Sequence, residues 1–149
     1  MATRSISWGT PSAATITLAS LASSATAGQK SAALTIGGKP YLAIEVTLVV
    51  ETGTIQNDAG GHVWLARSMD GTNYEDALSG GDAAFTPHSP SGMQYLGFVP
   101  IPVQSTTNRK LFLIPDPPAY GVVVVRNYCG IALASGSGLQ YTFGEDVVA

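Results

Sequence analysis

The stretch Tyr41-Leu42-Ala43-Ile44-Glu45-Val46-Thr47-Leu48-Val49-Val50-Glu51 decides the fold class. Successive side chains of an extended strand point to opposite sides, so Leu42, Ile44, Val46, Leu48 and Val50 fall on one face. Ala43, Glu45, Thr47, Val49 and Glu51 fall on the other. A helix would scatter the same aliphatics around its axis. One face is core and the other at least partly polar, the pattern of an antiparallel sheet with one solvated side. Gly37-Gly38-Lys39-Pro40 marks a turn ahead of it, and Ser31 to Ile36 is expected to pair with it as a hairpin.

Working outward, the same kind of segment recurs along the chain. His62 to Met69 is a strand bounded by Asp58-Ala59-Gly60-Gly61 and Asp70-Gly71, whose Asp and Gly tolerate the positive φ of tight turns. Met93 to Val103 contains Pro100 and Pro102, which cannot donate to a ladder, so an edge or bulged strand is expected. Arg109 to Ile114, Tyr120 to Tyr128 and Leu139 to Phe143 complete the set, with Pro115-Asp116-Pro117-Pro118 turning a corner. The unbroken run Val122 to Val125 reads as a central strand buried on both faces. Asp76 to Pro90, rich in Gly, Ala, Asp and Pro, reads as a long surface loop and a candidate contact region.

About eight short strands with regular turn signals predict an all-β, single-domain antiparallel β-sandwich, jelly-roll-like, over residues 12–149. Residues 1–11 are expected to extend from it as an N-terminal arm carrying Trp8. The stretch from Arg4 through Ala25-Thr26-Ala27 imitates a secretory leader, but Thr15, Thr17 and Ser20 interrupt its apolar part. The alternation of Ile16 and Leu18 with threonines suits a strand better.

Composition narrows function. Charged residues are 11% of the 149, against roughly 25% in an ordinary soluble domain. A hydrophobic fraction of 45% excludes disorder. A net charge of −3, with 7 Lys and Arg spread along the chain, speaks against nucleic-acid binding. No apolar run approaches the roughly 20 residues of a membrane-spanning helix.

Candidate chemistry is thin. His62 and His88 have no second ligand at metal spacing and are read as a strand start and a loop residue. Cys129, the one cysteine, follows a buried strand and is read as a small hydrophobe. Ser135-Gly136-Ser137-Gly138 has neither a nucleophile elbow nor a phosphate-loop lysine. The segment Ser68 to Asp76 gathers oxygen ligands but fails the EF-hand spacing. A hairpin turn is expected there, with a weak cation site of another geometry as the alternative. No enzyme activity, cofactor or metal is expected. Trp8, Trp64, Tyr74, Tyr95 and Tyr141 are candidates for a carbohydrate platform, although alternating aromatics in a sandwich more often fill the core. Trp8 stands in a Ser/Thr-rich segment with no local core and is read as an anchor into a neighbouring subunit. Arg4, Trp8, Asp82, Phe85 and His88 are the residues expected to reach partners.

Three segments resemble a group of tailed-bacteriophage virion proteins. They are Trp8-Gly9-Thr10 leading into Leu18 to Ser31 (LASLASSATAGQKS), Ser68-Met69-Asp70-Gly71-Thr72-Asn73-Tyr74, and Val123-Val124-Val125-Arg126-Asn127-Tyr128. The resemblance implies a small β protein that assembles in many copies in a virion built in the host cytoplasm. It would be a capsid decoration (cement) protein, or a neck or tail component. Its partners would be itself, as a homo-oligomer, and virion proteins such as the major capsid protein. It brings no catalytic residues. A carbohydrate-binding module for host-surface recognition is the reading from a different class.

Overall fold

The structure is a computed structural model describing residues 2–88, 92–103 and 106–148. Two antiparallel sheets face one another across an apolar core. Sheet A runs in the order β1 (Arg4–Trp8), β11 (Gly138–Val148), β5 (Tyr41–Leu48), β9 (Asn108–Pro115), with β2 (Ser12–Ala13) also pairing with β11. Sheet B runs β7 (Ala83–Phe85), β3 (Gly28–Lys30), β10 (Tyr120–Tyr128), β6 (Gly60–Ser68), β8 (Gln94–Pro100), with β4 (Leu34–Thr35) pairing with β10. The sandwich read from the alternation is the one observed.

The decisive stretch behaves as its pattern dictates. Leu42, Ile44, Val46 and Leu48 of β5 are wholly buried, facing Val63 and Leu65 of β6 and Val123 and Val125 of β10 in one cluster. Each such side chain contributes about 1.5–3 kcal/mol by leaving water. Val50 continues the face beyond the strand, in a single bridge to Leu133. Sheet B buries β10 between β3 and β6, and β8 is an edge strand, as Pro100 required; its register shifts opposite Val63 and Trp64, away from the proline.

Three expectations are corrected. The hairpin between Ser31 to Ile36 and β5 does not form, because β4 pairs with β10 in sheet B whereas β5 lies in sheet A. Gly37 and Gly38, both at positive φ, carry the chain from one sheet to the other rather than folding it back on itself. The Ala13 to Ala22 segment is not a strand beyond Ala13. Its alternation survives as burial, with Ala14, Ile16 and Leu18 turned to the core and Thr15, Thr17 and Ala19 exposed. Residues 4–8 do not stand off as a free arm. They form the edge strand of sheet A, paired with β11 from Arg4 opposite Val148 to Trp8 opposite Gly144.

A fourth concerns the stretch from Asp76 read as a long surface loop, which with the residues before it packs on the sandwich and includes β7. The segment after β6 folds back over the outer face of sheet B, where Tyr74, Leu78 and Met93 close on Trp64, Ala66, Val122 and Val124 in a second apolar cluster. This explains why Val122 to Val125 shows no alternation: odd positions face the main core and even positions face this cover. The buried Lys30 pins the cover by donating to the carbonyls of Ser79 and Gly81, each at 2.7 Å. Of the stretch read as the loop, Ser89 and Pro90 lie outside the described residues.

Asn127 locks the turns at one end of the sandwich. It is fully buried. Its Nδ2 donates to the carbonyls of Leu21 (2.8 Å) and Ile131 (2.7 Å), and its Oδ1 accepts from the Cys129 amide at 3.0 Å. Asn127→Ala strands these buried groups, and we expect it to lower the unfolding free energy by ~3 kcal/mol in urea titration.

Candidate functional site

The two outer faces of the sandwich differ. Part of that of sheet B is covered by the segment after β6, whereas among the described residues that of sheet A has no comparable cover, although Ala43 on it is buried. Cross-strand register places Trp8, Gly144, Tyr41 and Pro115 in one row across sheet A, then Thr142, Ala43 and Leu113, then Gln140, Glu45 and Leu111. Leu111 and Leu113 are 55% and 62% exposed, and Ile6 and Trp8 are 44% and 40% exposed. A shallow hollow of about 100 Å³ opens between Pro11, Ala43, Glu45, Leu111 and Gln140. Leu111 and Leu113 lie on β9 and Ile6 and Trp8 on β1, at opposite ends of the sheet, with Glu45, Gln140 and Thr142 on the strands between.

Local structure holds Trp8 in place. A Cβ on Gly144 would come within 2.9 Å of both Ile6 and the Trp8 ring, so the missing side chain is what lets these two pack down onto β11. Trp8 also meets Tyr41, with ring centroids 6.4 Å apart. The Tyr41 hydroxyl donates to Asp146 at 3.2 Å, and Lys39 pairs with Glu145. The pairing of β1 with residues 144–148 thus forms a ribbon whose exposed outer side carries Arg4, Ile6 and Trp8.

The residues expected to reach partners divide between the sheets. Arg4 and Trp8 lie on the ribbon. Asp82 instead accepts from Thr17 through both its backbone N–H (2.8 Å) and its hydroxyl, and from Gln29 Nε2 at 2.6 Å, tying the cover to the segment after β2. Phe85, on β7, packs half-buried against the second cluster. The His88 amide donates to Asp76 at 2.8 Å, and its ring stands 6.0 Å from that of Phe85. The first pair and the last three are therefore on different sheets. Leu111 and Leu113 were missed, although Leu111-Phe112-Leu113-Ile114 is apolar on both strand faces and carried that signal.

The aromatic candidates do not form a flat platform. Trp64 and Tyr74 are buried. Tyr95 is spread over an outer corner of sheet B with His62, Phe98 and Tyr128, but the rings are tilted at 30° to 60° to one another. The Tyr95 hydroxyl is engaged by His62 Nδ1 at 2.9 Å, and burial, then the nearby Arg126, pulls the His62 pKa down. Tyr141 is half-buried against the core. Cys129 is buried, its thiol 3.4 Å from the Gly60 carbonyl and pushed up to about 11 by burial, which keeps it protonated at neutral pH.

The turn with calcium-like composition closes on itself. Asp70 accepts from the amides of Asn73 and Thr72, both at 2.8 Å, from Asn73 Nδ2 at 2.7 Å and from the Ser68 hydroxyl at 3.0 Å. Glu75 receives the Arg67 guanidinium and amide. Among the described residues no group of three His, Cys, Asp or Glu side chains converges to hold a metal. The chain matches no protein-family model and no curated protein.

Those hydrogen bonds, led by the Asn73 and Thr72 amides, hold the Asp70 carboxyl well below the usual carboxylate range. A depressed folded-state pKa stabilises at pH above the unfolded value, 3.8, and that contribution is lost as pH falls through the range between the two. We expect Asp70→Asn to lower the melting temperature at neutral pH and to flatten its decline below about pH 4, read by thermal melts across an acid pH series. An unchanged acid limb would remove Asp70 from the account.

Proposed function

We propose that this chain is a non-enzymatic structural protein of a tailed-bacteriophage virion, acting as a capsid decoration protein that stabilises the particle through repeated contacts. A neck or tail position is the alternative within the same particle. The observation that carries the reading is the contrast between the outer faces: the protein roofs much of sheet B with its own chain and leaves Leu111, Leu113, Ile6 and Trp8 bare on sheet A. Protein interfaces favour this composition, since long hydrated Lys and Glu side chains are costly to bury. The 11% charged content fits a surface largely covered by neighbours. The resemblance of the Trp8, Ser68 to Tyr74 and Val123 to Tyr128 segments to phage virion proteins supplies the particle. The partners are other copies and virion proteins such as the major capsid protein, and the place is the assembled virion.

The test is a double variant, Leu111→Glu with Leu113→Glu. Both side chains already face solvent, so the far-ultraviolet circular dichroism and the melt should stay as in the wild type. Association with particles should fall by about tenfold or more, as expected when an interface anchor becomes a charge, measured by co-sedimentation with virions and by the loss of the labelled protein from particle images. Undiminished occupancy by the double variant sinks the sheet A reading, and reproducible binding on a glycan array would favour the carbohydrate module instead.

A further inference from the structure

Among the described residues, β1, β2 and β9 of sheet A and β4, β7 and β8 of sheet B each pair on one side only; β2 and β4 are two residues long, and the others are not equally guarded against pairing with another chain. Proteins blunt exposed edges with prolines, bulges, charges or brevity. In sheet B, β8 has Pro100 and a register shift, and β7 is three residues long. In sheet A, β9 carries Arg109 and Lys110, and the lysine donates to the Phe98 carbonyl at 3.0 Å across the corner of the sandwich. The edge strand β1 has no proline, no bulge and one charge, at its first residue.

The ladder fixes which backbone groups of β1 face outward. The Gly9 amide donates to the Phe143 carbonyl at 2.9 Å, in register with the pairing of β1 and β11. Hydrogen-bonded pairs alternate along an antiparallel ladder, so Ser7 and Ser5 exchange bonds with Glu145 and Val147. The N–H and C=O groups of Arg4, Ile6 and Trp8 therefore point away from β11, along the open edge.

The sequence on that edge complements itself. Set antiparallel against a second Arg4-Ser5-Ile6-Ser7-Trp8 and centred on Ile6, it places Ile6 opposite Ile6, Arg4 opposite Trp8 and each serine opposite a serine. The positions that hydrogen-bond in this register are 4, 6 and 8, the same ones whose backbone groups are turned outward. No bulge or slip is needed. The side chains of 4, 6 and 8 share one face, so each guanidinium lies across from the other copy's indole, a cation–π pairing, while isoleucine packs on isoleucine at the axis.

We infer that two copies of this chain join edge to edge through β1, about a two-fold axis at Ile6, merging their A sheets into one continuous sheet. The arrangement is isologous, each copy giving and receiving the same contacts, and it turns the exposed Trp8 and leucine residues of both copies to the same face, the tryptophans near the join and the leucines at its far edges. It goes beyond the virion reading and stands on β1 alone, so either can fail while the other holds.

Analytical ultracentrifugation of the full chain reads it directly. The wild type should sediment as a dimer or an even-numbered assembly built from it. Ile6→Lys, which sets two like charges against each other on the axis, should halve the dimer mass with the circular dichroism unchanged. A second variant guards against misfolding. Ile6→Cys should form an intermolecular disulfide under copper–phenanthroline, because hydrogen-bonded antiparallel pairs stand about 5.5 Å apart at Cα, within disulfide reach. Ser5→Cys, whose partner position is Ser7 of the other copy, should not cross-link with itself. The wild type, whose one cysteine is buried, supplies the uncrosslinked baseline. A monomeric or trimeric wild type, an Ile6→Lys variant that keeps the wild-type mass, or cross-linking at Ser5 rather than Ile6 would overturn the inference. A monomeric Ile6→Lys that still binds particles leaves the virion reading standing, and a dimer that binds none leaves this one standing.

Discussion

The structure depends on keeping β10 dry on both sides. Val123 and Val125 face the main core and Val122 and Val124 face a second one, all fully buried. A sheet sandwiched against one partner sheet would satisfy only the first pair. The even positions require a separate roof, and the chain builds it from the segment after β6, holding it with the Lys30 ammonium on two carbonyls and with Asp82 on Thr17 and Gln29. Much of what the polar residues of the molecule do follows from that need. Lys30 and Asp82 are fasteners, and their charges are occupied within the fold.

Among the described residues sheet A has no such roof, and the proposed function rests on this difference between the two faces. Its inner side is apolar, but its outer side offers Leu111 and Leu113, both exposed, in the same cross-strand rows as Glu45, Thr142 and Gln140. The same strand, β9, thus carries Phe112 and Ile114 into the core and two leucines into solvent. Stability alone accounts for the first pair, not for the second.

The strands were legible where side-chain periodicity was enforced by burial. β5 and β10 could be read because one has a clean two-residue period and the other none. Pairing partners were not legible: Gly37-Gly38 announces a turn but does not say whether the chain folds back or crosses to the opposite sheet. The Ile16 and Leu18 alternation reported burial truthfully and hydrogen bonding falsely, since core contact requires a side chain to point inward and does not require a neighbouring strand. Of the site, the exposure of Trp8 was legible because a large ring in a Ser/Thr-rich segment has no local partner. The hydrogen bonds of Asp82 were not, because the residues that engage it, Thr17 and Gln29, are distant in sequence.

The pairing of β1 with β11 joins Arg4 to Val148, nearly the whole sequence apart. During synthesis, β1 emerges before β11 and has no strand to lie against until the segments between them have been made. Contacts of such long range close late in folding, because the intervening chain must be ordered before they form. The open edge along Arg4, Ile6 and Trp8 therefore exists as a rigid, correctly registered strand only on a finished molecule. Half-made chains do not display it, so the order in which the fold closes itself sets the moment at which this edge is complete.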